Sequence, residues 1–174
     1  MISGYKNVID NAVDLSELDI VFTSKPIIFG GLAMEYYNLR KHGHDIDFFI
    51  SNEDYQVLAR KYPMNKKDKW GDLGLLIGKY ELWRSVFKLD YHFYSESAIE
   101  YEKYKIISFE KLFFMKTIAF ENQPEIIKHT EDFKITIKYY IEKYQNKDYL
   151  ENALKYTDKY LIAPDGIILN DNYY

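Results

Sequence analysis

The stretch Ile27-Ile28-Phe29-Gly30-Gly31, followed by Asp45-Ile46-Asp47, decides the fold of this chain. The apolar residues 27–29 predict a short buried strand, and the glycine pair lets the backbone turn and approach a ligand closely. Residues 32–44 leave room for a helix before a second strand, which we expect over 45–50. Aspartates two positions apart on a strand point to the same face, with Cα atoms roughly 6.5–7 Å apart.

Paired carboxylates behind a glycine turn suit a particular chemistry. Mg²⁺ takes hard oxygen ligands and keeps several of its waters, so Asp45 and Asp47 on one face are suitable ligands. A helix that follows the glycines offers phosphate its positive N-terminal end. The pattern therefore favours phosphoryl or nucleotidyl transfer.

Composition narrows the class of protein. A chain of 174 residues with 47% hydrophobic residues predicts one domain, or one domain with a helical extension. A net charge of -4 argues against tight nonspecific nucleic-acid binding, although a local basic groove remains compatible with it. The absence of cysteine excludes disulfides and thiolate zinc sites. Without a signal peptide or a long apolar run, we expect a soluble cytoplasmic protein with no membrane association.

Periodicity predicts strands and helices in the first part and helices in the second. We expect helices over 5–18, 33–41 and 52–62, a charged loop over 65–70, and two or three antiparallel strands over 73–94. The last strand, 87–94, alternates, with Asp90 on the face opposite its apolar residues. Helices are expected after Ser108 and Pro124 and to about residue 161, before a turn at 164–166. We place a catalytic domain at 1–97 and a helical domain at 98–174.

The run Phe29-Gly30-Gly31 … Asp45-Ile46-Asp47-Phe48 resembles the active-site signature of the nucleotidyltransferase superfamily, which has a polymerase beta-like fold. The resemblance implies an α+β fold, with a mixed β-sheet flanked by helices and followed by a C-terminal helical bundle. It also implies a third carboxylate on a strand beside Asp45 and Asp47. Asp90 is our candidate because its strand alternates, and Asp72 and Glu81 are weaker rivals.

A second resemblance lies downstream. The run Ser108–Ala119, followed by Lys128-His129-Thr130-Glu131-Asp132, is similar to the helical half of abortive-infection toxins of the superfamily. The resemblance implies that Lys116 reaches the nucleotide phosphates and that Asp132 helps to shape the site. The alternative is a solvated Lys116 and an i,i+4 surface pair between Lys128 and Asp132.

Basic residues precede the aspartates. Arg40 and His44 are candidate ligands of the triphosphate, and the alternative is a charged helix end favoured by the macrodipole. His42 and His44 lack a third imidazole nearby in sequence, which disfavours zinc. His92 either orients Asp90 or is an ordinary strand histidine.

These observations predict a metal-dependent nucleotidyltransferase that moves an NMP from an NTP to an acceptor hydroxyl and releases pyrophosphate. The expected metal ligands are Asp45, Asp47 and Asp90, with two Mg²⁺ ions or Mn²⁺ in their place. The expected nucleotide-binding residues are Gly30, Gly31, Arg40, His44 and Lys116. The acceptor is a tRNA, a protein or a small molecule, and a toxin of this type would have an antitoxin protein as partner. The alternatives are a catalytically inactive nucleotide-binding or interaction module of the same fold, and a structural protein with aromatic assembly surfaces.

Overall fold

A seven-stranded mixed sheet forms the centre of the protein. The computed structural model describes residues 3–144, with side chains from 8 to 143. Its strands are β1 Ile27–Phe29, β2 Ile46–Phe49, β3 Lys66–Lys69, β4 Asp72–Ile77, β5 Tyr80–Trp83, β8 Ile99–Glu100 and β9 Lys105–Ile106. They lie in the sheet in the order β3-β4-β5-β2-β1-β9-β8. A separate two-stranded sheet consists of β6 Ser85–Val86 and β7 Leu89–Asp90.

Six α-helices accompany the strands in the described residues, so the protein is of the mixed α+β class. They are α1 Ser3–Ala12, α2 Gly30–Tyr36, α3 Asn52–Lys61, α4 Tyr91–Ser95, α5 Phe109–Asn122 and α6 Ile127–Tyr144. Helices α5 and α6 pack on each other. The helices and the turn expected beyond residue 144 lie outside the described residues. Between residues 3 and 144, every helix is too short or too polar to cross a membrane.

The strand β1 is buried along its whole length, as the sequence predicts, and the central strand β2 is buried except at Asp47. β2 lies between β1, which is antiparallel to it, and β5, which is parallel to it. Ile27, Ile28, Phe48 and Phe49 are all inaccessible to solvent. The Phe49 ring stacks between Phe29 and Tyr94, at centroid distances of 4.1 and 3.9 Å. Burial of each such side chain stabilises the fold by about 1.5–3 kcal/mol, which fixes the position of β2.

The last two strands of the sheet lie beyond residue 97, where we placed the start of the helical domain. β9 pairs in parallel with β1, and β8 pairs with β9. The purely helical part of the described chain therefore begins at Phe109. Ser108 caps α5 as predicted, because its hydroxyl accepts a hydrogen bond from the Lys111 N–H.

Two local predictions are wrong. Residues 65–70 were expected to be a loop, but 66–69 form β3 at the edge of the sheet. Its charged composition is typical of an edge strand that must not pair with other chains. Residues 87–94 were expected to be one strand, but Phe87 and Lys88 both have positive φ, at 54° and 62°. They form the tight turn between β6 and β7, and α4 follows directly.

The buried carboxylate of Asp54, at the start of α3, holds the chain before β1 in place by hydrogen bonds. Asp54 is inaccessible to solvent. Its Oδ1 accepts hydrogen bonds from the Thr23 N–H at 2.8 Å and the Thr23 hydroxyl at 3.0 Å. Its Oδ2 accepts from the Ser24 N–H at 3.3 Å and from the hydroxyl of Ser51, the N-cap of α3, at 2.8 Å.

We predict that Asp54→Ala lowers the free energy of unfolding by about 2–4 kcal/mol, because it leaves the N–H groups of Thr23 and Ser24 without acceptors. Urea denaturation measures the loss. The control is Glu53→Ala, which removes an exposed carboxylate from the same helical turn and should cost only a few tenths of a kcal/mol. Equal losses in the two variants would contradict the role given to Asp54.

Candidate active site

Asp47 occupies the centre of the site, on β2 and against the glycine turn. Gly30 follows β1 with a φ of +62°, a conformation that favours glycine. A Cβ at Gly30 would overlap Oδ2 of Asp47 and lie 2.8 Å from its Cγ. The glycine therefore serves two purposes: it permits the turn into α2, and it leaves space for the Asp47 carboxylate.

Glu81 is the carboxylate that the structure places beside Asp47. The two residues are paired in register on the parallel strands β2 and β5, so their side chains share a face with about 4.8 Å between the strands. Both oxygens of Glu81 have donors. Lys67 Nζ lies 3.0 Å from Oε1, and Trp83 Nε1 lies 3.3 Å from Oε2.

The environment of Asp47 disfavours its negative charge. Burial raises the pKa of Asp47 to about 6, and the neighbouring charge of Glu81 acts in the same direction. Asp45 adds a smaller effect of the same sign, whereas Lys116 and Lys128 oppose it. The carboxylate pair therefore has excess negative charge, which a bound cation would relieve.

A buried ion cluster supplies positive charge next to the pair. Asp132, only 2% exposed, accepts hydrogen bonds from Arg40 Nε at 2.6 Å and Nη2 at 2.9 Å, and from Lys116 Nζ at 2.6 Å. Burial lowers the pKa of Lys116, and the charge of Asp132 opposes that effect. Burial would raise the pKa of Asp132, but Arg40 and Lys116 hold it below its usual value. Lys116 is thus a largely buried, paired lysine rather than a solvated one.

The predicted site residues Arg40, His44 and Asp45 lie on the loop between α2 and β2, and Gly31 lies in the first turn of α2. A Cβ at Gly31 would lie within 3.6–3.7 Å of atoms of Gly43, Arg40 and His42, so this glycine packs closely against the loop. Glu35 fixes the loop by accepting the His42 N–H at 2.8 Å. Asp45 and His44 are exposed and immediately precede β2. A cavity of about 500 Å³ beside His44 is lined in part by Asn11, His42 and Lys79.

The structure places Asp90 in the small second sheet, apart from β2, whereas Glu81 is the carboxylate in register with Asp47. Asp90 lies in β7 of the small second sheet, where it pairs with Ser85 of β6. Its carboxylate caps α4 by accepting the Phe93 N–H at 3.2 Å. His92, which we paired with Asp90, is exposed on α4. Asp72 is also engaged elsewhere, with the Ser85 hydroxyl at 2.8 Å and the Lys88 N–H at 3.0 Å.

A sequence signal for Glu81 exists, but it is short. Tyr80-Glu81-Leu82 alternates directly after the turn at Gly78, and Tyr80 and Leu82 are both buried. Such a run is weaker than the eight alternating residues from 87 to 94, which favoured Asp90.

The carboxylates fit a divalent cation in their chemistry. Asp47 and Glu81 offer hard oxygen donors from adjacent strands, and the exposed Asp45 adds negative charge near Asp47. Within the described residues, no three His, Asp or Glu side chains are gathered into a complete ligand set. Magnesium suits such a site, because it is usually held by one or two carboxylates together with substrate phosphates and water.

Comparison with known proteins gives no match: no family model, no curated protein and no solved structure is significantly similar to this chain.

We predict that Gly30→Ala lowers the free energy of unfolding by at least about 2 kcal/mol more than Gly78→Ala does. Both glycines have positive φ, at +62° and +58°, so alanine costs about 1 kcal/mol at either position. A Cβ at Gly78 meets nothing within 4 Å, whereas one at Gly30 collides with Asp47. Urea denaturation measures both variants, and equal losses would show that Asp47 does not constrain Gly30.

We predict that Asp47→Asn stabilises the protein in EDTA at pH 8. The pKa of Asp47 is about 6 in the folded state, above the ordinary aspartate value, so the folded state binds more protons between about pH 4 and 6. Stability is therefore lost as the pH rises through this window. Asparagine removes that loss, which amounts to about 2–3 kcal/mol at pH 8 and little at pH 4.

Urea denaturation at pH 4, 6 and 8 measures this difference. Asp45→Asn is the control, because it removes the same charge at an exposed position and should change stability by less than about 0.5 kcal/mol. An Asp47→Asn protein no more stable than wild type at pH 8 would contradict the prediction.

Proposed function

We propose that this protein is a metal-dependent nucleotidyltransferase, which moves an NMP from an NTP to an acceptor hydroxyl. The observation that carries the proposal is the in-register pair of Asp47 and Glu81 at a glycine turn. The parallel pairing of β2 and β5 within a mixed sheet is compatible with a polymerase beta-like fold. The assignment as a toxin, and an antitoxin as partner, rests on the sequence resemblance alone.

Asp47 and Glu81, with Asp45 near them, would hold the divalent ions. Bound Mg²⁺ or Mn²⁺ would supply positive charge to the triphosphate and to the departing pyrophosphate. Two neighbouring carboxylates with a raised pKa at Asp47 explain why this site would favour a cation. Above about pH 6 Asp47 is ionised and able to serve as a ligand.

Arg40 and Lys116 would bind the phosphates. Asp132 holds both cations in place before any substrate arrives, so little reorganisation is needed on binding. The positive charge of Lys116 acts to lower the pKa of Asp47, and the negative charge of Asp47 acts to raise the pKa of Arg40. The cations and the carboxylates therefore belong to one site.

The reaction itself balances simply. The acceptor oxygen bonds to the α-phosphorus, the bond from that phosphorus to the bridging oxygen breaks, and pyrophosphate leaves with the electron pair. The acceptor proton goes to a carboxylate of the site.

We predict that Glu81→Gln lowers the rate of nucleotide transfer at least about a hundredfold, whereas Asp90→Asn keeps the wild-type rate. Asparagine also caps helices well, so the control preserves α4. The assay incubates the protein with Mg²⁺, each labelled NTP and a mixture of tRNA, protein and aminoglycoside, and measures the label in each fraction. Transfer lost in Asp90→Asn but kept in Glu81→Gln would reverse the assignment.

The same assay separates the alternative function. An inactive nucleotide-binding module would label no fraction, and its affinity for NTP, measured by calorimetry, would be the same with and without Mg²⁺.

A further inference from the structure

Lys67 reaches the candidate site across an intervening strand. It lies on β3 opposite Gly74 of β4, and Gly74 lies opposite Trp83 of β5. A Cβ at Gly74 would lie 2.6 Å from Cε3 of Trp83, so the missing side chain leaves space for the indole ring. The Lys67 ammonium passes this gap, 5.9 Å from the indole centroid, and meets Glu81 at 3.0 Å.

Lys67 contacts one specific atom of the Asp47–Glu81 carboxylate pair, which is Oε1 of Glu81. Oε2 of Glu81 accepts the indole N–H of Trp83, and Oε1 accepts the ammonium of Lys67. A divalent cation that binds at Oε1 therefore competes with Lys67 for this oxygen and is repelled by its charge. The Lys67–Glu81 ion pair is partly exposed, with 37% of the Lys67 side chain and 22% of the Glu81 side chain accessible, so the ammonium can move into solvent.

Lys67 differs from the other cations of the site in this respect. Arg40 and Lys116 are both tied to Asp132, which is almost inaccessible, and neither occupies Glu81. Lys67 pairs with Glu81 of the carboxylate pair and is held by one hydrogen bond to it and by a distant indole ring.

We propose that Lys67 is an internal counter-ion of Glu81, which holds this carboxylate in place in the metal-free protein and is displaced when a divalent cation binds. The inference rests on the proposed function, because it concerns the same carboxylates. It goes further by assigning a positioning and gating role to a residue outside the glycine–aspartate motif.

Binding of Mn²⁺ to the full-length protein without nucleotide tests this role. Titration calorimetry and the electron paramagnetic resonance signal of free Mn²⁺ both measure the affinity. We expect Lys67→Met to bind Mn²⁺ about fivefold tighter than wild type, because methionine keeps an apolar stem over Trp83 and removes the competing charge. Lys66→Met, its exposed neighbour on the same strand, removes an equal charge and should stay within about twofold of wild type.

Three further results distinguish an error in the role given to Lys67 from an error in the proposed function. In the double variant Lys67→Met with Asp47→Asn the gain should disappear, which places the added affinity at the carboxylate pair. If Asp47→Asn weakens Mn²⁺ binding but Lys67→Met does not tighten it, the role of Lys67 is wrong and the proposed function stands. If neither wild type nor Lys67→Met binds Mn²⁺ in a way that depends on Asp47, both are wrong. Lys67→Gln repeats the test with a polar side chain.

Discussion

The close approach of the Gly30 backbone to the Asp47 carboxylate is the constraint on which the site depends. Because Gly30 has no Cβ, the chain can leave β1, turn and start α2 directly beside the Asp47 side chain of β2. The register of β1 with β2 places Phe29 opposite Asp47, and the register of β2 with β5 places Glu81 on its other side. One glycine thus positions a carboxylate, and the buried sheet positions its partner.

The charges around Asp47 form two linked groups that balance. Asp47, Glu81 and Lys67 have one excess negative charge, and Asp132, Arg40 and Lys116 have one excess positive charge. The exposed residues Asp45 and Lys128 add one charge of each sign. Neutrality lets these side chains pack together at moderate cost, since a buried charge without a partner is strongly destabilising. A triphosphate with two divalent ions is itself close to neutral, so its entry would preserve the balance.

The sequence predicts those parts of the site that are local. The buried strand, the glycine turn and the position of Asp47 follow from a continuous run and its spacing, and the structure has β1, α2 and β2 there. Glu81 was ranked below Asp90, because its selection depends on strand register, which is a non-local property. The sequence alternation over 87–94 resembles that of a strand. In the structure, however, Phe87 and Lys88 are left-handed turn residues and Asp90 is the N-cap of α4. The contact of Arg40 with Asp132 joins residues 92 positions apart, and no short pattern specifies that distance.

Two lysine–carboxylate pairs of the same chemistry have different physical roles because their burial differs. Lys116 and Asp132 are 14% and 2% exposed, and loss of one partner would leave an uncompensated buried charge, typically at about 3–5 kcal/mol. That pair is part of the fold. Lys67 and Glu81 are more accessible, and exposed ion pairs are typically worth at most about 1 kcal/mol. Such a pair can exchange its cation without unfolding the protein, so the site combines a fixed cationic half with a carboxylate half open to replacement of its counter-ion.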